Sequence, residues 1–337
     1  MLLIPTGIGA VIGGYAGDAL PIARAIAAVV DDLITHPNVL NGASLYWQMP
    51  NVHYVEGFAL DQFALGNWGL RPIHSNKIGV IFDAGIEPEL LGRQQQAIAA
   101  AKATLGLDIS PPIFTDQPLG VTLKAGASGA TWGTIAQPDS LLRAAEKLIK
   151  VSQVKAIAVI ARFPDDFSSA ALQNYRQGKG VDALAGAEAV ISHLITREFA
   201  IPCAHAPALL PLELDMTISD RACAEEIGYT FLPCVLVGLS RAPRIIKQNY
   251  QLNDLTIDDL DVAIAPLSAC GGAGILALAA RNLPLILVEE NSTTLEVRPE
   301  VLGISKSIKV KNYLEAIGVL AAIKAGIAPE ALTLRRF

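Results

Sequence analysis

The residue best placed for chemistry is a thiol on a glycine-rich turn, Cys270 in the stretch Ser268-Ala269-Cys270-Gly271-Gly272-Ala273-Gly274. Such a turn opens a helix, and a helix N-terminus both attracts anions and lowers a thiol's pKa. Cys270 is therefore a candidate nucleophile or acid/base, with Ser268, Gly271 and Gly272 as ligand contacts. The competing reading is a small side chain filling a crowded turn. A second cluster comprises Glu188, His193, Cys203 and His205. Cys203 and His205 lie two apart, so a strand would turn them to the same side, and His193 could approach from the preceding helix. Acid/base work by His193 or His205, with Glu188 beside them, is one reading; buried histidines bonded to backbone carbonyls are the other. The spacing fits no zinc pattern, and no metal is expected.

Other residues suit an anion. A turn after the first strand carries Gly7 and Gly9, yet its spacing misses G-x-G-x-x-G, so a nicotinamide is not indicated. The stretch 124–134 offers Lys124, Gly126, Ser128, Gly129 and Thr131, small residues that let backbone approach an anion beside one countercharge. It does not match the nucleotide-binding loop in which lysine follows the glycines. Arg241 and Arg244 could fork onto a phosphate or carboxylate, and Asp83 could accept from a hydroxyl or simply cap a turn. Glu290, Asn291 and Ser292 end an apolar strand and would lie beside the Cys270 turn if the two strands are neighbours. No motif specifies a cofactor.

The elements that must position these groups alternate between strand and helix. Asp261–Glu290 reads as strand, glycine turn, helix and strand, a βαβ unit. Met1–Pro5, Lys77–Asp83, Val154–Ala161, Ile201–Ala204, Tyr229–Gly238 and Ser307–Val310 read as further strands. Helices are expected from Asp18 to Thr35 and over Glu87–Leu105, Pro138–Val151, Ala183–Phe199 and Tyr313–Ala325. Residues 38–76 are rich in aromatic and amide side chains, with Glu56, Asp61 and Arg71 among them, and read as a loop that recognises a ligand or another subunit. The expected fold is α/β: layered, mostly parallel sheets with flanking helices, Rossmann-like. Two lobes, 1–135 and 136–337, or one continuous domain, would hold it.

Composition narrows the class. Of 337 residues, 52% are hydrophobic and 17% charged, below the roughly 25% charged of an average globular chain. The apolar surplus implies a large core, a homo-oligomer contact, or both. No window reaches the ~18 uninterrupted apolar residues of a spanning helix, so no membrane is expected as partner. A net charge of −6 without a basic run argues against nucleic acid. Four cysteines form no disulfide framework, and the start of the chain lacks a signal-peptide pattern, so a cytoplasmic location is expected.

The stretches GVIFDAGIEPE, GASGATWGTI, DALAGAEAVISHLI, IPCAHAPAL and PLSACGGAGILALAA together resemble an uncharacterised family, a domain of unknown function, of cyanobacteria and plant plastids. That resemblance covers nearly the whole chain, implies a cytoplasmic or stromal protein and transfers no catalytic residue. GGAGILALAARNLPLILVEE is also similar, over that part alone, to phosphoribosyltransferases acting on nicotinate mononucleotide and a benzimidazole, which would imply a base at Glu289, Glu290 or Glu296. The expected function is a metabolic enzyme, transferase or isomerase/lyase, whose glycine-rich loops bind a small anionic, phosphorylated or nucleotide-like substrate. A non-catalytic small-molecule-binding or regulatory protein would use the same loops.

Overall fold

The computed structural model describes residues 1–5, 9–41, 45, 47–125, 131–165, 170–228 and 231–332. Strands are numbered along the chain. One parallel sheet of six runs β14 (Ser307–Val310), β13 (Leu285–Val288), β12 (Ala263–Pro266), β1 (Leu2–Leu3), β2 (Leu33–Thr35), β3 (Val52–Tyr54). This is the doubly wound order: the chain builds outward from β1 in one direction, then from β12 in the other. Between β3 and β12 the chain makes a second parallel sheet, β10 (Cys203–Ala208), β9 (Ala156–Arg162), β5 (Ile78–Phe82), β6 (Ile113–Phe114). The architecture is therefore α/β and Rossmann-like, as the apolar runs imply. Residue 135 separates neither sheet, because β1 pairs with β12 and β5 with β9.

Among the described residues, two antiparallel pairs complete the strands: β4 (Gly69–Arg71) with β11 (Arg244–Ile246), and β7 (Val121–Ala125) with β8 (Thr131–Ile135). The helices that matter for position are α1 (Leu20–Ala27), α2 (Pro37–Leu40), α3 (Gly57–Ala64), α4 (Pro88–Leu105), α5 (Pro138–Ser152) and α6 (Ala170–Arg176). They continue with α7 (Ala185–Phe199), α8 (Asp220–Glu226), α9 (Leu232–Arg241), α10 (Ala273–Ala280) and α11 (Tyr313–Lys324). Among the described residues no helix is long and apolar enough to cross a membrane.

One core joins the two sheets. Leu3, Ile264 and Ile286 of the first sheet share a buried cluster with Val80, Phe82 and Ile160 of the second. Helix α9 lies between them, burying Leu232, Val235, Leu236 and Leu239. This corrects the expected strand at Tyr229–Gly238. The β-branched and aromatic composition suggests a strand, but the burial interval of 3, 1 and 3 residues is helical, and Pro233 falls in the first turn where a missing N–H costs nothing. The expected helix from Asp18 to Thr35 is likewise shorter. It ends at Ala27, and Leu33–Thr35 forms a buried strand. The loop reading of 38–76 gives way to α2, β3, α3 and β4 within that span.

The switch points of both sheets, where ligands of such folds commonly sit, are closed by the chain's own polar groups. At the first, Asn291 is fully buried after β13. Its Nδ2 lies 2.6 Å from the Pro5 carbonyl and 2.8 Å from both the Ile12 carbonyl and Tyr313 Oη, while its Oδ1 accepts from Ile12 N. At the second, Asp83 is 1% exposed and accepts from the backbone N–H groups of Gly85, Leu119 and Arg162. Removing either side chain strands buried donors and acceptors, each at a cost of ~1–3 kcal/mol. Asn291→Ala is expected to lower unfolding free energy by about 2–4 kcal/mol in urea titration; a loss under about 0.5 kcal/mol would show that Asn291 does not hold the first switch point.

Candidate functional site

The Cys270 turn sits where the sequence places it, but it is already occupied. Cys270 is fully buried among apolar side chains, its Sγ 3.4 Å from the Leu267 carbonyl. Burial pushes its thiol up to about 11, the opposite of the lowered value a nucleophile needs. The anion at the α10 N-terminus is internal: Gly274 N–H donates to Asp61 Oδ1 of α3 at 2.9 Å. Ser268, 6% exposed, bonds Thr293 through its hydroxyl. Gly271 packs against Val297, and Gly272 caps α10.

The remaining anion candidates are dispersed. Gly9 adopts a left-handed φ of +62°, and a Cβ there would stand 2.7 Å from Thr294 Cγ2. Gly7, Gly126, Ser128 and Gly129 lie outside the described residues, as does the side chain of Thr131. Lys124 is exposed on β7 opposite Trp132. Arg241 is exposed at the end of α9, and Arg244 is exposed on β11. Glu290 accepts from Tyr313 N, and the Ser292 carbonyl accepts from Val11 N. As anticipated, the loop after β13 neighbours the Cys270 turn.

The second cluster is different: Glu188, His193, Cys203 and His205 all line one cavity of about 420 Å³. It lies beyond the carboxyl ends of β1, β2 and β3 and against β10, where the two sheets face each other. The described lining includes no lysine or arginine. Local structure explains each placement. Helix α7 buries Ala187, Ile191 and Ile195 in the core of the second sheet, which leaves Glu188 and His193 to face the cavity. On β10, Cys203 and His205 are two apart, and both reach it.

Two further cavity residues, His36 and Glu56, lie at strand-to-helix junctions of the first sheet. Each caps the helix that follows a strand of the first sheet. His36 Nδ1 accepts from Asn38 N at 3.2 Å, which leaves Nε2 as the protonated nitrogen of a neutral ring. Glu56 Oε2 accepts from Phe58 N and Ala59 N. The legible signals were His-Pro and Glu-Gly pairs at strand-to-helix junctions, where a side-chain acceptor is needed. Gly57 belongs to the design as well: a Cβ there would lie 3.0 Å from His193 Nε2 and 3.6 Å from His36 Nε2.

The histidines pair with carboxylates. His193 Nε2 lies 2.9 Å from Glu56 Oε1, and His205 Nε2 lies 3.4 Å from Glu188 Oε2. Glu56 Oε1 is buried with His193 as its counterpart, and His205 Nδ1 is buried without a hydrogen-bond partner. Burial alone would lower the His193 pKa, but contact with Glu56 and the charges of Glu56 and Asp61 outweigh it and raise the value. His36, by contrast, is driven down to about 4 by burial, with the charges of His193 and His205 adding to the effect against Glu56. Burial, then the charge of Glu56, pushes the Cys203 thiol well above its usual range. One ring is thus charged and another neutral at the same pH.

The far wall is acidic. Burial, followed by the charges of Glu188 and Glu225, raises Asp182 well above the usual carboxylate range. Glu225 of α8 accepts from Ala16 N and Tyr175 Oη, and burial raises it to about 7. Tyr175 stacks on Tyr15 with centroids 4.2 Å apart, and Tyr15 Oη donates to the Tyr175 carbonyl. Among the described residues no group of three or more His, Cys, Asp or Glu could hold a metal ion.

The chain belongs to the DUF3326 family of proteins of unknown function, whose model matches residues 1–333. It is 61% identical over 334 residues to an uncharacterised lipoprotein of Synechococcus sp., covering 99% of this chain and 92% of the relative. No solved structure matches it.

Glu225 gives the wall a pH signature. A native value of about 7 against 4.5 for the free side chain means the folded protein keeps a proton that the unfolded chain releases across that window. Stability contributed by the protonated group is therefore complete below 4.5 and is lost as pH rises through about 7. Glu225→Gln, which keeps the acceptor without the charge, should gain on the order of 3 kcal/mol relative to wild type between pH 4.5 and pH 8 in paired denaturant titrations. A constant difference across that range would show that Glu225 is ionised throughout.

Proposed function

We propose that the chain is an enzyme of the isomerase or lyase type that moves protons on a small substrate held in the cavity between the two sheets. The supporting observation is a pair of carboxylate–histidine couples on one cavity with opposite assignments. His205 turns Nε2 toward Glu188, so its Nδ1 carries the lone pair and can accept a proton as general base. His193, with a raised pKa beside Glu56, holds a proton that it can donate as general acid. His36 Nε2–H supplies a neutral hydrogen bond to charge that develops on a substrate oxygen or nitrogen. Removing a proton at His205 and adding one at His193 leaves the substrate's electron count unchanged, so the step needs no redox partner.

The expected class of metabolic enzyme is retained in this reading, but the chemistry moves from the Cys270 turn to the histidines. The anionic substrate inferred from the glycine-rich loops is set aside, because Lys124 and Arg241 do not line the cavity. All four cysteines are free, which suits a reducing, cytoplasmic compartment. The name of the Synechococcus relative attaches lipid to that protein, and an envelope location is the alternative for this chain. The proposed homo-oligomer would draw on exposed apolar side chains such as Leu214, Met216 and Leu314.

Incubation of the protein with a library of small polar metabolites in D2O, followed by mass spectrometry, tests the reading. At least one compound should gain solvent deuterium or be converted, and His205→Gln should slow this by at least ~10²-fold, with an unchanged fold by circular dichroism. Full activity in His205→Gln would remove His205 as the base, and no compound altered by wild type would leave a non-catalytic binding protein as the better account.

A further inference from the structure

Strand β10 stands at the edge of the second sheet, and each residue of a strand turns its N–H and its C=O to the same side. Ile157 N donates to the Pro202 carbonyl at 2.9 Å, and Phe163 N to the Ala208 carbonyl at 3.4 Å. With Cys203 opposite Ile157 and His205 opposite Val159, the even-numbered residues bond β9, and Cys203, His205 and Pro207 point the other way. Pro207 agrees with this direction, because a ladder tolerates proline where its missing N–H faces outward. Among the described residues, no group donates to the outward carbonyls of Cys203, His205 and Pro207 or accepts from the Cys203 and His205 N–H groups.

Ordinary sheet edges are short, charged or open to solvent. This one is buried: Cys203 is 1% exposed, Ala204 4% and Ala206 1%. Buried backbone groups are almost always paired, and here the chain supplies no partner. Cys203, His205 and Pro207 all line the cavity of about 420 Å³. Resting on the reading of that cavity as a substrate site, we infer that the substrate is a small, neutral, planar amide or ureide. It lies along the outer edge of β10 and exchanges hydrogen bonds with the backbone of Cys203 and His205.

The order of groups along that edge selects the ligand. Cys203 C=O, His205 N–H and His205 C=O read acceptor, donor, acceptor. An amide sets a donor beside an acceptor, and a ureide offers donor, acceptor, donor, the complement of all three. A carboxylate or phosphate brings acceptors only, and an ammonium brings donors only, so each leaves part of the edge unmet. Charge points the same way. The described lining has no lysine or arginine to hold an anion. Its carboxyl groups are engaged by the chain itself: Glu56 with the α3 cap and His193, Glu188 with His205. Asp182 accepts from Leu184 N, and Glu225 from Tyr175 Oη and Ala16 N. Tyr54, Tyr175 and Phe231 offer aromatic faces to a flat ring, and the volume is that of a metabolite-sized ligand.

Three six-membered rings test this: piperidin-2-one, a cyclic amide; its N-methyl derivative, which lacks the donor; and piperidinium, a cation. Each is added to the full chain and followed by calorimetry and by the ¹H–¹⁵N signal of the His205 amide. Piperidin-2-one should bind about ten-fold more tightly than either of the others, the worth of one hydrogen bond, and move the His205 amide proton downfield. Two variants isolate the backbone. His205→Ala removes the ring and keeps the N–H, whereas His205→Pro removes both, in a register where Pro207 already sits. Piperidin-2-one should bind about ten-fold more weakly to His205→Pro than to His205→Ala. Should His205→Pro fail to fold, the wild-type amide signal decides. Equal binding of the two lactams, tighter binding of piperidinium, or an unmoved His205 amide each overturns the inference. Its failure is separable from that of the acid–base reading. His205-dependent deuterium exchange in a compound without an amide removes only the amide ligand. Lactam binding on β10 without any His205-dependent exchange removes only the catalysis.

Discussion

One carboxylate ties the site together. Glu56 lies just beyond β3 of the first sheet, caps α3 with one oxygen and faces His193 of α7 with the other. Helix α7 belongs to the second sheet, whose core it covers. The contact therefore sets the distance between elements built from opposite parts of the chain. A glutamate at a helix cap is held by two backbone N–H groups, which fixes where its other oxygen points. The raised pKa of His193 depends on that carboxylate, and Gly57 at the junction it caps leaves room for the His193 ring.

The sheets explain why the cavity lies where it does. Doubly wound sheets bind ligands where the strand order reverses, but here those crevices are filled by Asn291 and Asp83 acting on the chain's own backbone. The open space is displaced toward the ends of β2 and β3, with β10 of the second sheet against it. The long passage from β3 to β12 thus does more than insert a second sheet: it brings β10 and α7 against the strand ends of the first.

Much of this was legible in the sequence, and the failures have physical causes. Buried parallel strands such as Ile78–Phe82 and Leu285–Val288 announce themselves as apolar runs because both faces are covered. Glu188, His193, Cys203 and His205 were identifiable as one group because strand and helix periodicity is local, and the fold does assemble them on one cavity. The Cys270 turn misled for the complementary reason. A glycine-rich helix entry looks the same whether its anion is a ligand or a distant side chain, and Asp61 is more than 200 residues away. His36 was passed over, and Glu56 was noted only within the ligand-recognising segment 38–76, because a capping residue and a cavity residue have the same local pattern. Phe231–Arg241 shows that composition alone cannot separate a short buried strand from a helix packed between two sheets.

The central claim is that the cavity holds histidines in different charge states between about pH 4 and 6.5, and ¹⁵N NMR of the imidazole rings reads this directly. His193 should titrate above its ordinary value of 6.5, with Glu56→Gln lowering it. His36 should stay neutral down to about pH 4, with Nδ1 unprotonated and Nε2 carrying the hydrogen. Titration of both rings together near 6.5 would contradict the account.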